Sequence, residues 1–259
     1  ICMGIKVSVN EEKCVGCSSC VKDCPAKVLY IENSKAKVKD GACIDCGHCF
    51  AVCPSNAVSM KNYNCEDCHA VTSMAELDSE TLLNAMKSRR TIRQYKDKEV
   101  EPEKIEKILE AGRYSPTGAN SQNVAYTILG SKQNDLEKEC VKMFRTGVGL
   151  GGIFSSDLKG FFVDDNFFFK KAPLVIVVSG KDEVNASLAS AYMEIMAESL
   201  GLGVLYSGFF VGCSRINPKI KSMLELPKGH KAVTCMIIGY PDVKYQRIAP
   251  RKPLKLKKL

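Results

Sequence analysis

The chain has 259 residues, 45% of them hydrophobic, with a formal net charge of +8, 14 cysteines and no tryptophan. That length holds one large domain or two smaller ones, no run reaches the about 18 apolar residues of a membrane span, and no signal-peptide pattern opens the chain. So many cysteines suit a disulfide scaffold only in a short secreted protein, so a reducing, anaerobic cytoplasm and no membrane are expected; the start at Ile1 leaves the native N-terminus open.

Eight of the cysteines form two copies of one spacing, Cys14, Cys17, Cys20, Cys24 with Pro25, and Cys43, Cys46, Cys49, Cys53 with Pro54. Each reads C-x2-C-x2-C-x3-C-P, the run that wraps [4Fe–4S] clusters. Two-residue spacing turns three thiolates of one loop toward one cluster. The cysteine before proline starts a helix turn and points away, so the fourth ligand comes from the other run. One cluster is then expected on Cys14, Cys17, Cys20 and Cys53, the other on Cys43, Cys46, Cys49 and Cys24. Zinc ribbons are disfavoured because they take paired cysteines in each half rather than this rhythm.

The runs are also an internal repeat, with CVGCSSCVKDCPAKVLYIEN over CIDCGHCFAVCPSNAVSMKN. Each copy predicts a cysteine loop, a helical turn from the proline and a brief strand, at Val28–Glu32 and Ala57–Lys61. Two such halves bury little apolar surface, so the clusters themselves must act as core. Residues 5–62 resemble a bacterial two-cluster ferredoxin, and the domain is drawn at 1–64 with a linker at 65–77. Eight thiolates around two cores of about +2 leave about −4, offsetting part of the basic excess.

Beyond the linker, 78–259 reads as α+β. A helical pattern begins at Asp78 or Ser79 and runs toward Tyr95, with Leu82, Leu83 and Met86 on its apolar face. A second spans Glu101–Tyr114, with Pro102 in its first turn. Strands are expected at Asn123–Leu129, Leu174–Ser179 and Ala232–Gly239, and helices at Glu183–Leu200 and Asn217–Leu224. They intermix without the regular alternation of a dinucleotide-binding βαβ fold.

Three stretches here carry chemistry. Ser88-Arg-Arg-Thr-Ile-Arg93 sets three guanidinium groups and a hydroxyl within reach of one phosphate dianion, and it equally suits an ordinary basic helix end. Tyr114-Ser-Pro-Thr-Gly-Ala-Asn-Ser-Gln122 joins turn formers to small hydrogen-bonding side chains, which let backbone approach a flat ligand or simply make a solvent loop. Gly201-Leu-Gly-Val-Leu-Tyr-Ser-Gly208 follows the long helix.

In this order, closing on Gly239-Tyr-Pro241 and Arg251-Lys-Pro253, the stretches resemble the nitroreductase family of FMN-dependent oxidoreductases over about 78–253. The resemblance implies a homodimer with FMN at its interface. It would have Arg89, Arg90, Thr91, Arg93 and Arg251 hold the phosphate and ribityl chain, with Ser207 and Gly208 at the flavin N5 edge. Pro116, Thr117, Gly118 and Asn120 of the partner subunit would cover the ring. Two departures stand out: Asn123-Val124 replaces a frequent Pro-Trp pair, and Thr91 replaces the usual Ser.

Other features have plainer readings. Cys65-Glu-Asp-Cys68-His69 matches a haem-attachment string but reads best as linker in a chain without an export signal. Gly147, Gly149 and Gly152 fit G-x-G-x-x-G without a preceding strand, and read as a mobile loop. Phe161, Phe162, Phe167, Phe168 and Phe169 form a lid or a buried cluster. Cys2, Cys140, Cys213 and Cys235 read as small core hydrophobes or surface thiols, and His230 has no role. The tail from Arg247 carries six Lys or Arg and no acid; without a binding motif it reads as a solvated arm, partly used for phosphate, and nucleic acid is not an expected partner.

These readings combine into an iron–sulfur flavoprotein that draws low-potential electrons, from reduced ferredoxin for instance, through two [4Fe–4S] clusters to FMN. From there they pass to a small electron-poor acceptor such as a nitroaromatic, quinone or activated alkene. No acid, base or nucleophile constellation is evident, so no catalytic side chain is expected. An electron-transfer adaptor of a larger complex, or a flavin-modifying relative, remains an alternative.

Overall fold

A computed structural model describes residues 6–68, 70–71, 77–154 and 162–259. Cys2, His69 and Phe161 lie outside them. The chain divides into two compact units, Ile1–Glu76 with Thr117–Ser121, and Leu77–Pro116 with Gln122–Leu259.

The first unit runs β1 (Val7–Val9), α1 (Ser19–Asp23), β2 (Leu29–Glu32), β3 (Lys35–Val38), α2 (His48–Ala51) and β4 (Val58–Met60). Strand β1 pairs antiparallel with β4, Val7 opposite Met60, and β2 pairs antiparallel with β3. Buried Val7, Val28, Leu29, Ala36, Ala57 and Val58 pack with Cys14, Cys20, Cys24 and Cys49, so the cysteines belong to the unit's core. One expectation needs correcting: the short helices precede Pro25 and Pro54 rather than start from them. Each helix carries the third cysteine of its run, Cys20 or Cys49, and ends before the fourth. Proline follows because it cannot continue a helix.

The second unit contains α3 (Ser79–Ser88), α4 (Pro102–Arg113), β5 (Val124–Ile128), α5 (Gln133–Phe154), β6 (Leu174–Gly180), α6 (Glu183–Ser199), β7 (Gly203–Tyr206), α7 (Gly208–Ile216), α8 (Pro218–Met223) and β8 (Lys231–Gly239). Its sheet is antiparallel throughout, in the order β5-β6-β8-β7. Successive side chains of a strand point to opposite faces. Val175, Val177, Cys235 and Ile237 accordingly join one core with residues of α5, α7 and α8. Leu174, Ile176, Val178, Met236 and Ile238 join the other, with residues of α4 and α6. Helices on both faces explain why β6 reads as an unbroken apolar run.

Three boundaries depart from expectation. Helix α3 stops at Ser88 because Arg89 turns extended, and Ile92 N–H then donates to the carbonyl of Val204 on β7 (3.1 Å). Gly147, Gly149 and Gly152 lie inside α5, not in a loop, where the ladder of helical hydrogen bonds continues through them. Strand β7 and helix α7 were not anticipated individually. They are too short to show a period, and Gly201–Gly208 conceals both. No helix among the described residues is long and apolar enough to cross a membrane.

Candidate metal and cofactor sites

The eight spaced cysteines surround two separate hollows. One is lined by Cys14, Cys17, Cys20 and Cys53 together with Val9, Ala36 and Val58. The other is lined by Cys24, Cys43, Cys46 and Cys49 together with Val7, Leu29 and Met60. Each hollow thus draws three thiols from one run and a fourth from the other. The helical turn in each run separates the third cysteine from the fourth, directing them to different hollows.

Backbone amides face the sulfurs: Ala36 N–H donates to Cys14 Sγ (3.4 Å) and Ala57 N–H to Cys53 Sγ (3.2 Å). Such bonds favour thiolate and set cluster potentials. Burial pushes the Cys20 thiol up, with Cys53, Cys17 and Cys14 adding to it, and pushes Cys49 up to about 11. Among the described residues, no three Cys, His, Asp or Glu side chains converge on a point suited to a single ion. Four thiols spread around an apolar hollow fit a cubane cluster, whose own volume fills the gap, better than one tetrahedral ion.

In the second unit, the arginine segment is placed by the glycines of Gly201-Leu-Gly203. Gly201 has φ +75° and closes α6: its N–H donates to Glu198 O (3.0 Å), and Leu202 N–H donates to Ala197 O (2.9 Å), the paired bonds of a Schellman cap. At Gly203 a Cβ would stand 2.2 Å from Ile92 Cγ1, so only glycine lets the arginine segment lie against β7. Tyr95, just beyond, donates its hydroxyl to the carbonyls of Ile92 and Ile237 (both 3.0 Å).

Arg89 enters this arrangement already paired. Its Nη1 donates to Glu194 Oε1 at 2.6 Å, and the Tyr206 hydroxyl donates to Ser190 O (3.0 Å) and to Glu194 Oε2 (3.4 Å). Burial pushes the Glu194 carboxyl up, against the pull of the Arg89 guanidinium. Glu194 and Tyr206 were not singled out from sequence; α6 also carries Glu183 and Glu198, so an acid there named no partner. Arg90 and Thr91 are half-buried and Arg93 is exposed. The Tyr245 hydroxyl donates to Thr91 O (3.4 Å). Ser207 is buried, its N–H donating to Cys235 O (2.8 Å), and α7 begins at Gly208, where an added Cβ would meet open space. Arg89, Arg90, Thr91 and Arg93 therefore belong to a segment held beside β7 through the Ile92–Val204 hydrogen bond, and Gly208 opens the helix that follows that strand.

Other predicted residues are dispersed. Arg251 is exposed in the tail, Pro116 belongs to the second unit, and Thr117, Gly118 and Asn120 belong to the first. Asn123, where the pattern often has proline, accepts from Asn185 Nδ2 (3.0 Å) and so ties β5 to the start of α6. Phe168 and Phe169 are core residues whose amides donate to the buried carboxylate of Glu137 (2.8 and 2.9 Å), which excludes them from a lid. Cys140, Cys213 and Cys235 are buried in the same core. Cys65 is half-buried and Cys68 exposed. His230 Nδ1 lies 3.4 Å from Ser179 Oγ.

A model described as the nitroreductase family matches residues 86–240, and one described as a 4Fe-4S dicluster domain matches 6–54. The FMN reductase [NAD(P)H] of Bacillus subtilis is 26% identical over 175 residues, covering 62% of this chain and 66% of that protein. Ferredoxin-2 of Desulfomicrobium norvegicum is 47% identical over 34 residues, 13% of this chain and 58% of that protein. A nitroreductase with bound FMN from Desulfitobacterium hafniense superposes with a TM-score of 0.56 at 17% identity, covering 68% of this chain and 98% of that one.

Proposed function

The chain belongs to the nitroreductase family, and with the cysteine-lined hollows ahead of that domain we propose an oxidoreductase fed by its own iron–sulfur module, arranged as 1–64, 65–77 and 78–259. The protein is an FMN-dependent oxidoreductase with an iron–sulfur electron-input domain. When bound, clusters pass electrons singly, and FMN accepts them singly and delivers pairs to an organic acceptor.

Each named site residue has a defined task in this reading. Cys14, Cys17, Cys20 and Cys53 hold one cluster and Cys24, Cys43, Cys46 and Cys49 the other, with the Ala36 and Ala57 amides donating to the sulfurs. Arg90, Arg93 and Arg251 donate to the FMN phosphate. Arg89 contributes beside them while its Nη1 anchors the segment on Glu194, and Thr91 donates from its hydroxyl. Ser207 and Gly208 present backbone to the N5 edge, and a partner's loop at Pro116–Asn120 excludes water from the ring. Helix α6 exposes Val184, Leu188 and Tyr192 at successive turns, and α3 exposes Leu83 and Met86. Apolar stripes of this kind support a homodimer. Reduced ferredoxin is the proposed donor, and a flat electron-poor small molecule the acceptor, in the cytoplasm.

The observation that carries the reading is the sorting of eight cysteines into two quartets around two hollows. Anaerobic isolation should yield about eight iron per chain together with FMN. Turnover of a nitroaromatic or quinone should run faster from reduced ferredoxin than from NADH or NADPH. Zinc in place of iron, or equal rates from all donors, would refute it.

A further inference from the structure

The two halves of the first unit repeat one another, and the differences between them sort by cysteine site. Where CVGCSSC lies over CIDCGHC, Gly16 matches Asp45 and Ser19 matches His48; past the prolines, Ala26 matches Ser55. Because the fourth cysteines cross over, Ser19 and Ser55 both belong to the site of Cys14, Cys17, Cys20 and Cys53. Asp45, His48 and Ala26 belong to the site of Cys24, Cys43, Cys46 and Cys49.

The first site is rich in donors. Beside the Ala36 and Ala57 amides already described, Ser55 Oγ lies 3.7 Å from Cys53 Sγ, and a hydroxyl beside a thiolate donates. The Ser19 hydroxyl and amide bond to Cys17, which is itself exposed to solvent. Lys35, whose counterpart in the repeat is Asn64, donates its Nζ to Cys14 O (2.6 Å). At the second site the Phe50 amide faces Cys49, and among the described residues the sulfurs of Cys24, Cys43 and Cys46 accept no hydrogen bond.

The two cysteine loops share a bend and fill it differently. Gly16 and Asp45 have φ +68° and +60°. At Gly16 a Cβ would stand 2.2 Å from Ser34 O, so the first loop carries no side chain there. The second loop admits aspartate, which tolerates this backbone, and with it a carboxylate next to Cys46. Its Oδ2 accepts from Asn62 Nδ2 (2.5 Å), while Oδ1 is buried without a hydrogen-bond partner. His48, the cation nearest in sequence, is paired with Asp23 (3.2 Å).

We propose that the two cluster sites are unequal in potential. The Cys14/Cys17/Cys20/Cys53 site is reduced first, and Asp45 holds the Cys24/Cys43/Cys46/Cys49 site lower. Donors to sulfur, a nearby cation and solvent all favour the more negative, reduced cluster, whereas an adjacent buried carboxylate opposes it. The inference rests on the two-cluster reading above and is independent of FMN. Each site takes up one electron from a low-potential one-electron donor of the ferredoxin class, with no bond formed or broken and no proton moved. A chain that has received a single electron therefore keeps it at the first site. The second site, filled last, is the stronger reductant of the pair.

Anaerobic redox titration of the intact holoprotein, followed by low-temperature EPR, tests this. Iron is measured first: a value well below about eight per chain overturns the two-cluster reading, and the inference with it. The parent should then show two one-electron waves at least about 59 mV apart, a tenfold difference in equilibrium constant. Asp45→Asn keeps the left-handed backbone and removes the charge. It should raise the lower wave by about 59 mV, again tenfold, and leave the upper wave in place. Ser55→Ala, which installs the residue the repeat already carries at Ala26, should lower the upper wave alone. It decides the ordering by itself if Asp45→Asn does not assemble its cluster. A single wave in the parent overturns the proposal. A rise of the upper wave in Asp45→Asn, or a fall of the lower wave in Ser55→Ala, reverses the ordering and overturns it too. Two waves that both stay in place in Asp45→Asn overturn the role of Asp45.

Discussion

Single side chains decide three outcomes here. Cys53 lines the hollow of the other run and accepts from Ala57 N–H. Cys53→Ser should therefore empty the site of Cys14, Cys17 and Cys20 and spare the second, so that iron falls from about eight to about four per chain with one EPR signal kept. Loss of both signals would contradict crossed ligation. Arg93→Ala should weaken FMN binding by about 1.5–3 kcal/mol, the worth of a charged hydrogen bond to phosphate, as read by fluorescence titration of the reconstituted protein. Glu137 is 6% exposed, and burial pushes its carboxyl up to about 7 although the Phe168 and Phe169 amides oppose the shift. A folded-state value above the unfolded one favours the fold while the proton is bound. Its contribution is therefore fully present below the unfolded value of 4.5 and is lost as pH rises through about 7. Glu137→Gln removes that titration. The melting temperature of the parent relative to the variant should fall between about pH 4.5 and 7 and level off above; parallel curves would show that Glu137 does not titrate there.

At the scale of elements, the junction of α6, β7 and the arginine segment is controlled by absent side chains. Gly203→Ala would set a Cβ 2.2 Å from Ile92 Cγ1 and 3.0 Å from Pro241 Cγ. Overpacking of this kind costs about 1–3 kcal/mol, and it should also push the segment of Arg90 and Arg93 away from β7. Thermal unfolding and retained FMN should therefore fall together. In the double variant with Ile92→Ala the destabilisation should be smaller than the sum of the single effects, because the clashing atom has been removed. Strict additivity would mean that the segment moves freely of β7. Helix α3 illustrates a different limit. Its cap is plain, Asp78 accepting from Thr81 N–H at 2.8 Å, yet none of its residues is buried. The apolar face legible at Leu82, Leu83 and Met86 thus has no core of this unit to join.

For the molecule as a whole, the exposed apolar residues of α3 and α6 make assembly a property to test. If FMN sits at an interface between two copies, Leu188→Asp should yield a monomer by light scattering and release FMN, with the clusters retained. A dimer that survives this change with its flavin would place the interface elsewhere. Because the charge lies in the middle of a stripe of three exposed residues spaced one turn apart, its desolvation would oppose any apolar contact along that face.

Local chemistry made much of this protein legible in its sequence. Thiolate spacing is a short-range property, so the two runs announced two clusters, and their crossing was expected from a helix starting at the fourth cysteine, although the structure puts the helical turn before that cysteine instead. Long periodic elements such as α4, α6 and β6 could be read for the same reason, since burial imposes its period on the residues themselves. What sequence could not supply was whatever depends on distant chain meeting distant chain. Nothing at Arg89 names Glu194, 105 positions on, as its partner, and the Phe167–Phe169 run fitted a lid as well as the core it joins. Gly201 and Gly203 read as one motif, although the first caps a helix and the second makes room for Ile92. The assignment of Thr117–Ser121 to the cluster-bearing unit was likewise invisible, because a turn's sequence specifies its backbone bend but not the unit it will fold with. Hydrogen bonds and close approaches across long separations are selected by packing, and packing exists only once the chain has folded.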